Sequence, residues 1–123
     1  MSVPILKQGD VLIASIQAAL SDRDLVELRD EIAGRIGRLR ARGVIIDLTA
    51  LDVLDSFATR TIRDIACTAR LRGARSVVVG IQPDVAFAMV QLGLSLDGVA
   101  TALDLEEGLA LLGTRQGSRA VGN

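Results

Sequence analysis

Two groups of residues in the chain have the types and spacing to do chemistry, and both centre on residues 47 to 56. Asp55 and Ser56 stand directly before an apolar helical repeat, so Ser56 sits where a serine hydroxyl is exposed beside the unpaired N–H groups of a helix start. The ordinary role of such a pair is a helix cap. The functional role is acceptance of a phosphate: a helix N-terminus tolerates negative charge, and the roughly −1.5 to −2 units of a phosphoserine fit there without unfolding the domain. Asp52 and Asp55 oppose that charge. The opposition suits a switch in which a partner docked on neutral Ser56 is repelled by phosphoserine.

The second group is Asp47, Asp52 and Asp55, which lie near the C-terminal end of a predicted central strand, where open α/β sheets place their sites. Three carboxylates there suggest a magnesium pocket like that of a response-regulator receiver. Such a receiver also needs a lysine near the end of a later strand, and the chain's sole lysine, Lys7, lies in the first predicted hairpin.

Other chemistries lack their raw material. There is no histidine, which removes His-based triads, His general bases and the usual zinc and haem ligands. A single cysteine, Cys67, allows no internal disulfide and no Cys-rich metal cage; it is expected as a small buried hydrophobe, and with an N-terminus unlike a signal peptide it favours the reducing cytoplasm. No G-x-G-x-x-G follows a strand, and no phosphate-binding G-x-x-x-x-G-K-[ST] occurs. Phe57 and Phe87 are the only aromatics, and 14 basic against 15 acidic residues leave a net charge of −1, so neither stacking platforms nor a basic field for nucleic acid is present. The longest apolar runs are far shorter than the roughly 18 residues a membrane span requires. The expectation is a protein with no catalytic residues, cofactor or metal, and with no nucleic-acid or membrane partner.

A chain of 123 residues, 50% hydrophobic, has material for one core. Val11–Ile16 follows the turn pair Gly9-Asp10, which predicts a β-hairpin with both faces mostly covered. Ser21 and Asp24 form a capping-box-like start for a helix through Leu25, Leu28, Ile32, Ile36 and Leu39, closed by Gly43. Its other face carries mixed charges, including Arg23, Glu27, Glu31, Arg35 and Arg38, as a solvated surface does. Val44–Leu48 and Ser76–Ile81 read as strands buried on both faces. The second helix starts at Asp55 or Ser56, the third starts near Pro83 and closes at Gly93, and Asp104 with Glu107 caps a fourth after a short strand within 99–102. The fold class is α/β, a mixed β-sheet flanked by α-helices in the order ββαβαβαβα. Residues 114–123 carry no apolar repeat and are expected to be a disordered tail.

The run Val44-Ile45-Ile46-Asp47-Leu48-Thr49-Ala50-Leu51-Asp52-Val53-Leu54-Asp55-Ser56-Phe57 resembles the phosphorylation-site signature of STAS domains, the anti-sigma-factor antagonist family. Val3–Lys7, Gly80–Pro83 and Thr101–Glu106 narrow the resemblance to the small stand-alone STAS subunits of stressosomes. It implies a single STAS domain over residues 1–113 and a non-catalytic cytoplasmic scaffold. It further implies that Ser56 is the phosphoacceptor for an RsbT-type serine kinase. The kinase is held in a homo- and hetero-oligomeric cage shared with RsbR-type sensory paralogues, and an RsbX-type phosphatase resets the site. Asp52, Asp55, Phe57, Thr59 and Arg60 then form the kinase-docking surface, with Thr59 as a candidate secondary phosphosite and Thr61 close behind. The alternatives are a simple anti-sigma antagonist acting outside any cage and the acidic magnesium receiver. Leu94, Leu96 and Val99 serve either a homotypic interface or the core.

Overall fold

The computed structural model describes the backbone of residues 3–120 and the side chains of residues 3–113. β1 (Ile5–Gln8) and β2 (Val11–Ser15) form the predicted hairpin, with Gly9 at φ +62° in its turn. β3 (Gly43–Asp47), β4 (Arg75–Val79) and β5 (Ala100–Ala102) add in parallel, so the sheet order β1-β2-β3-β4-β5 is also the chain order. Between the parallel strands run α1 (Asp22–Leu39), α2 (Ser56–Leu71) and α3 (Pro83–Gln91), and α4 (Leu105–Ala120) follows β5. The element order is the expected ββαβαβαβα.

Period-two alternation sends Leu12, Ala14, Val44, Ile46 and Val78 to one face of the sheet, under Leu28 and Ile32 of α1 and Ile62 and Ile65 of α2. Ile13, Ile45, Val77 and Val79 point to the other face, where Leu112 of α4 covers them. Burial on both faces is why β3 and β4 read as unbroken apolar runs. At about 1.5–3 kcal/mol for each large aliphatic buried, these two layers supply the main driving force.

The helix starts are those the sequence specifies. Ser21 Oγ accepts from Asp24 N–H at 3.1 Å while Asp24 accepts from Ser21 N–H at 3.4 Å, completing the capping box. Asp104 accepts from Glu107 N–H at 2.9 Å, and Glu107 accepts from Leu103 N–H at 2.6 Å. On the outer face of α1, Arg35 Nε lies 2.7 Å from Glu31 and holds that carboxyl below its ordinary pKa.

Several expectations are corrected. α1 ends at Leu39, with Arg40 taking the left-handed cap at φ 53°, four positions after the buried Ile36. Gly43 instead opens β3, and a Cβ there would lie 2.7 Å from Leu112 Cδ1, so this glycine makes room for α4. The hairpin is fully covered only along β2: β1 is an edge strand on which Ile5 packs against the core while Leu6, Lys7 and Gln8 are exposed, Leu6 at 64%. Cys67 is exposed rather than buried. α4 runs to Ala120 and so takes in residues 114–120. Positions 121–123 of the expected tail lie outside the described residues. Leu94, Leu96 and Val99 are half-buried against the core.

Ser76, on β4, buries its hydroxyl without a hydrogen-bond partner. An unsatisfied buried polar atom costs about 1–3 kcal/mol. Ser76→Ala is therefore expected to stabilise the domain by about 1 kcal/mol, raising Tm by several degrees in a thermal melt; a lowered Tm refutes this.

Candidate functional site

The site forms where the chain leaves β3. Asp47 is the last residue of that strand, and its Oδ1 accepts from both Thr49 N–H, at 2.9 Å, and Thr49 Oγ1, at 2.6 Å. This side-chain-to-backbone turn redirects the chain away from the sheet. Leu51 and Leu54 then plug the loop into the core at 7% exposure each, while Val53 between them stands out at 63%. Gln82, at the N-cap of α3, donates its side-chain amide to Thr49 O at 2.8 Å. The loop is thus fixed from both sides before it reaches Asp55.

Asp55 is the N-cap of α2, in extended conformation, and its Oδ1 accepts from Ala58 N–H at 2.8 Å. Ser56 is the first residue of the helix and is exposed. N–H groups of a first helical turn have no intrahelical acceptor, so the hydroxyl stands in a field favourable to added negative charge. Asp52, Asp55 and Arg60 share the exposed surface around it, and Phe57 is half-buried.

Thr59 does not belong to that surface. It is 0% exposed, and its hydroxyl donates to Asp55 O at 2.9 Å; Thr61 is 4% exposed and donates to Phe57 O at 2.8 Å. Both threonines satisfy their hydroxyls on the preceding turn, as threonine does inside a helix. The expectation of Thr59 as a docking residue and secondary phosphosite is corrected on this ground.

The acidic trio does not converge on an ion either. Asp47 is committed to Thr49 and Asp55 to the helix cap, and among the described residues no group of three His, Cys, Asp or Glu side chains could hold a metal. Also among the described residues, no helix is long and apolar enough to cross a membrane. Sequence reasoning missed Val53, Thr49 and Gln82. The signal for Gln82 lay in Gly80-Ile81-Gln82-Pro83, a stretch whose part in holding the loop is visible only in three dimensions.

The chain thus combines a five-stranded mixed sheet with an exposed serine at the first position of the helix that follows its central strand. Residues 2–108 match the STAS domain family, and the chain belongs to it. It is similar to RsbS of Moorella thermoacetica, solved as a serine-to-glutamate variant: 37% identity, a TM-score of 0.80, and coverage of 93% of this chain and 97% of that one. It is also similar to a chain in a structure of the stressosome, described as a signal integration and transduction hub, with 36% identity, a TM-score of 0.76 and coverage of 92% and 98%. The RsbT co-antagonist protein RsbRA of Bacillus subtilis is 24% identical over 110 residues, which are 89% of this chain and 40% of that protein. The chain therefore spans less than half the length of that relative.

Proposed function

We propose that this chain is an RsbS-like, non-catalytic scaffold of a cytoplasmic stressosome, which retains an RsbT-type serine kinase and releases it when Ser56 is phosphorylated. The observation that carries this reading is the difference among the three hydroxyls at the start of α2: Ser56 is exposed at the first helical position, while Thr59 and Thr61 are buried and engaged. A kinase can reach the first without unfolding the helix. The chain has no histidine to act as a general base, and on this reading the kinase activates the serine hydroxyl. Similarity to RsbS and to a stressosome chain supports assembly into a cage, and similarity to RsbRA supports an RsbR-type sensory paralogue as co-subunit. An RsbX-type phosphatase completes the cycle by restoring the neutral serine.

The test is phosphopeptide mapping of the full chain after incubation with the kinase, ATP and magnesium, alone and with the sensory paralogue. The expected result is stoichiometric phosphate on Ser56 that is absent from Ser56→Ala. An unmodified chain beside a kinase active on a control substrate reduces Ser56 to a helix cap and overturns the reading.

A further inference from the structure

The near-zero net charge of the chain hides a strong separation of charge along the strand axis. β2 to β5 are parallel, and each is followed by a helix that returns across the sheet, so all four helix N-termini lie at the end that carries Ser56. Asp52, Asp55, Asp84, Asp104, Glu106 and Glu107 are exposed at that end. The opposite end exposes Arg38, Arg40, Arg70, Arg72 and Arg75, with Asp97 as an exposed carboxylate among them. Most of these charges complement their own helix ends. Because the helices start at one end of the sheet, those local preferences add up to a field across the molecule. Asp52, which lies in the loop and on no helix, adds to it.

Among the described residues, the ion pairs lie within α1 or join Arg42 to Asp10 of the hairpin turn; Asp52, Asp55, Asp84 and Asp104 take part in none. Arg60 is one turn into α2, and Arg23 is paired with Glu27 at 3.5 Å. The Ser56 end therefore presents more carboxylates than cations, even though Asp55 and Asp104 are engaged by the N–H groups of their own helix starts. It also offers an apolar foothold: exposed Val53 borders a crevice of about 50 Å³ whose other walls include Ala19, Leu20, Leu51 and Leu54.

We infer that the protein docking on Ser56 does so with a basic surface bearing an aliphatic side chain that seats against Val53. This rests on the kinase reading above and specifies the chemistry of the partner's face. Opposite potentials speed and orient the encounter, and they weaken with salt. Phosphate on Ser56 then acts by steric obstruction and by disrupting the geometry of the basic contact, because added negative charge alone would strengthen attraction to a basic face.

The experiment measures binding of the full chain to the purified RsbT-type kinase by calorimetry. Affinity is expected to fall on the order of tenfold between about 50 and about 300 mM NaCl. Asp52→Lys and Asp84→Lys are each expected to weaken binding about three- to tenfold, and Val53→Asp by at least as much. Arg72→Glu, at the far end, is expected to change it less than about twofold. Asp55 and Asp104 are left intact because they cap helices, and circular dichroism verifies the fold of each variant. Salt-independent binding, or undiminished binding by the carboxylate reversals while Ser56 is still phosphorylated, overturns this inference alone. A kinase that neither binds nor phosphorylates the chain at low salt overturns the kinase reading and this inference with it.

Discussion

Gly80→Ala is expected to destabilise the domain by roughly 2–6 kcal/mol, the sum of about 1–3 for a left-handed backbone and about 1–3 for overpacking. Gly80 follows β4 with φ +77°, a region that alanine enters only under strain. A Cβ placed there would collide with the Thr49 hydroxyl and would also lie 3.0 Å from Thr49 N and 3.1 Å from Thr49 Cα. A side chain can rotate away, but the backbone contacts oblige the whole loop after β3 to shift. That loop is held by Asp47 below and Gln82 beside it and ends at Asp55, so the strain is delivered to the start of α2. Urea denaturation of Gly80→Ala, with Thr49→Ala and the double variant as a cycle, measures the coupling. Thr49→Ala is expected to recover only part of the loss, since the backbone contacts remain. A loss below about 1 kcal/mol for Gly80→Ala would mean that the two loops are not locked together.

The same two loops mark where the sequence stops being informative. β3 and β4 were legible because their residues are buried on both faces, and the helix starts were legible because capping by Ser21, Asp55 and Asp104 is decided within a few residues of chain. The contact between Gly80 and Thr49 joins residues that are neighbours only across β3 and β4. The end of α1 was misplaced because glycine is the usual left-handed cap, whereas here Arg40 takes that conformation and Gly43 is needed to clear Leu112. Helical arithmetic explains the two errors on α2. Thr59 falls on the stripe with Ile62, Ala66 and Ala69, so its face is buried even though its side chain is polar. Cys67 lies eleven residues after Ser56, close to three full turns, and so shares the exposed face of the serine. In both cases residue type was given more weight than position on the helix.

That positional difference separates the two hydroxyls experimentally. Ser56→Asp places one negative charge at the exposed first position of α2, where the helix end tolerates it, and is expected to leave the thermal melt within a few degrees of wild type. It is also expected to weaken kinase retention by about tenfold, through the bulk of its carboxylate at the docking contact, and by less than phosphoserine does, because a phosphate is larger. Thr59→Glu places a carboxylate where the native side chain is 0% exposed and its hydroxyl is spent on Asp55 O. The native side chain there is fully buried, and Arg63, four residues on, is engaged with Ser95 O, so the cost is that of a poorly compensated buried charge, about 3–5 kcal/mol. Thermal melts and kinase pull-downs on both variants distinguish a switch from a lesion. Ser56→Asp should lose the kinase with its fold intact, while Thr59→Glu should lose the kinase only as the fold is lost. Full retention of the kinase by Ser56→Asp would sink the switch at Ser56. A stable Thr59→Glu that releases the kinase would mean that the start of α2 opens readily, and accessibility would no longer single out Ser56 as the phosphoacceptor.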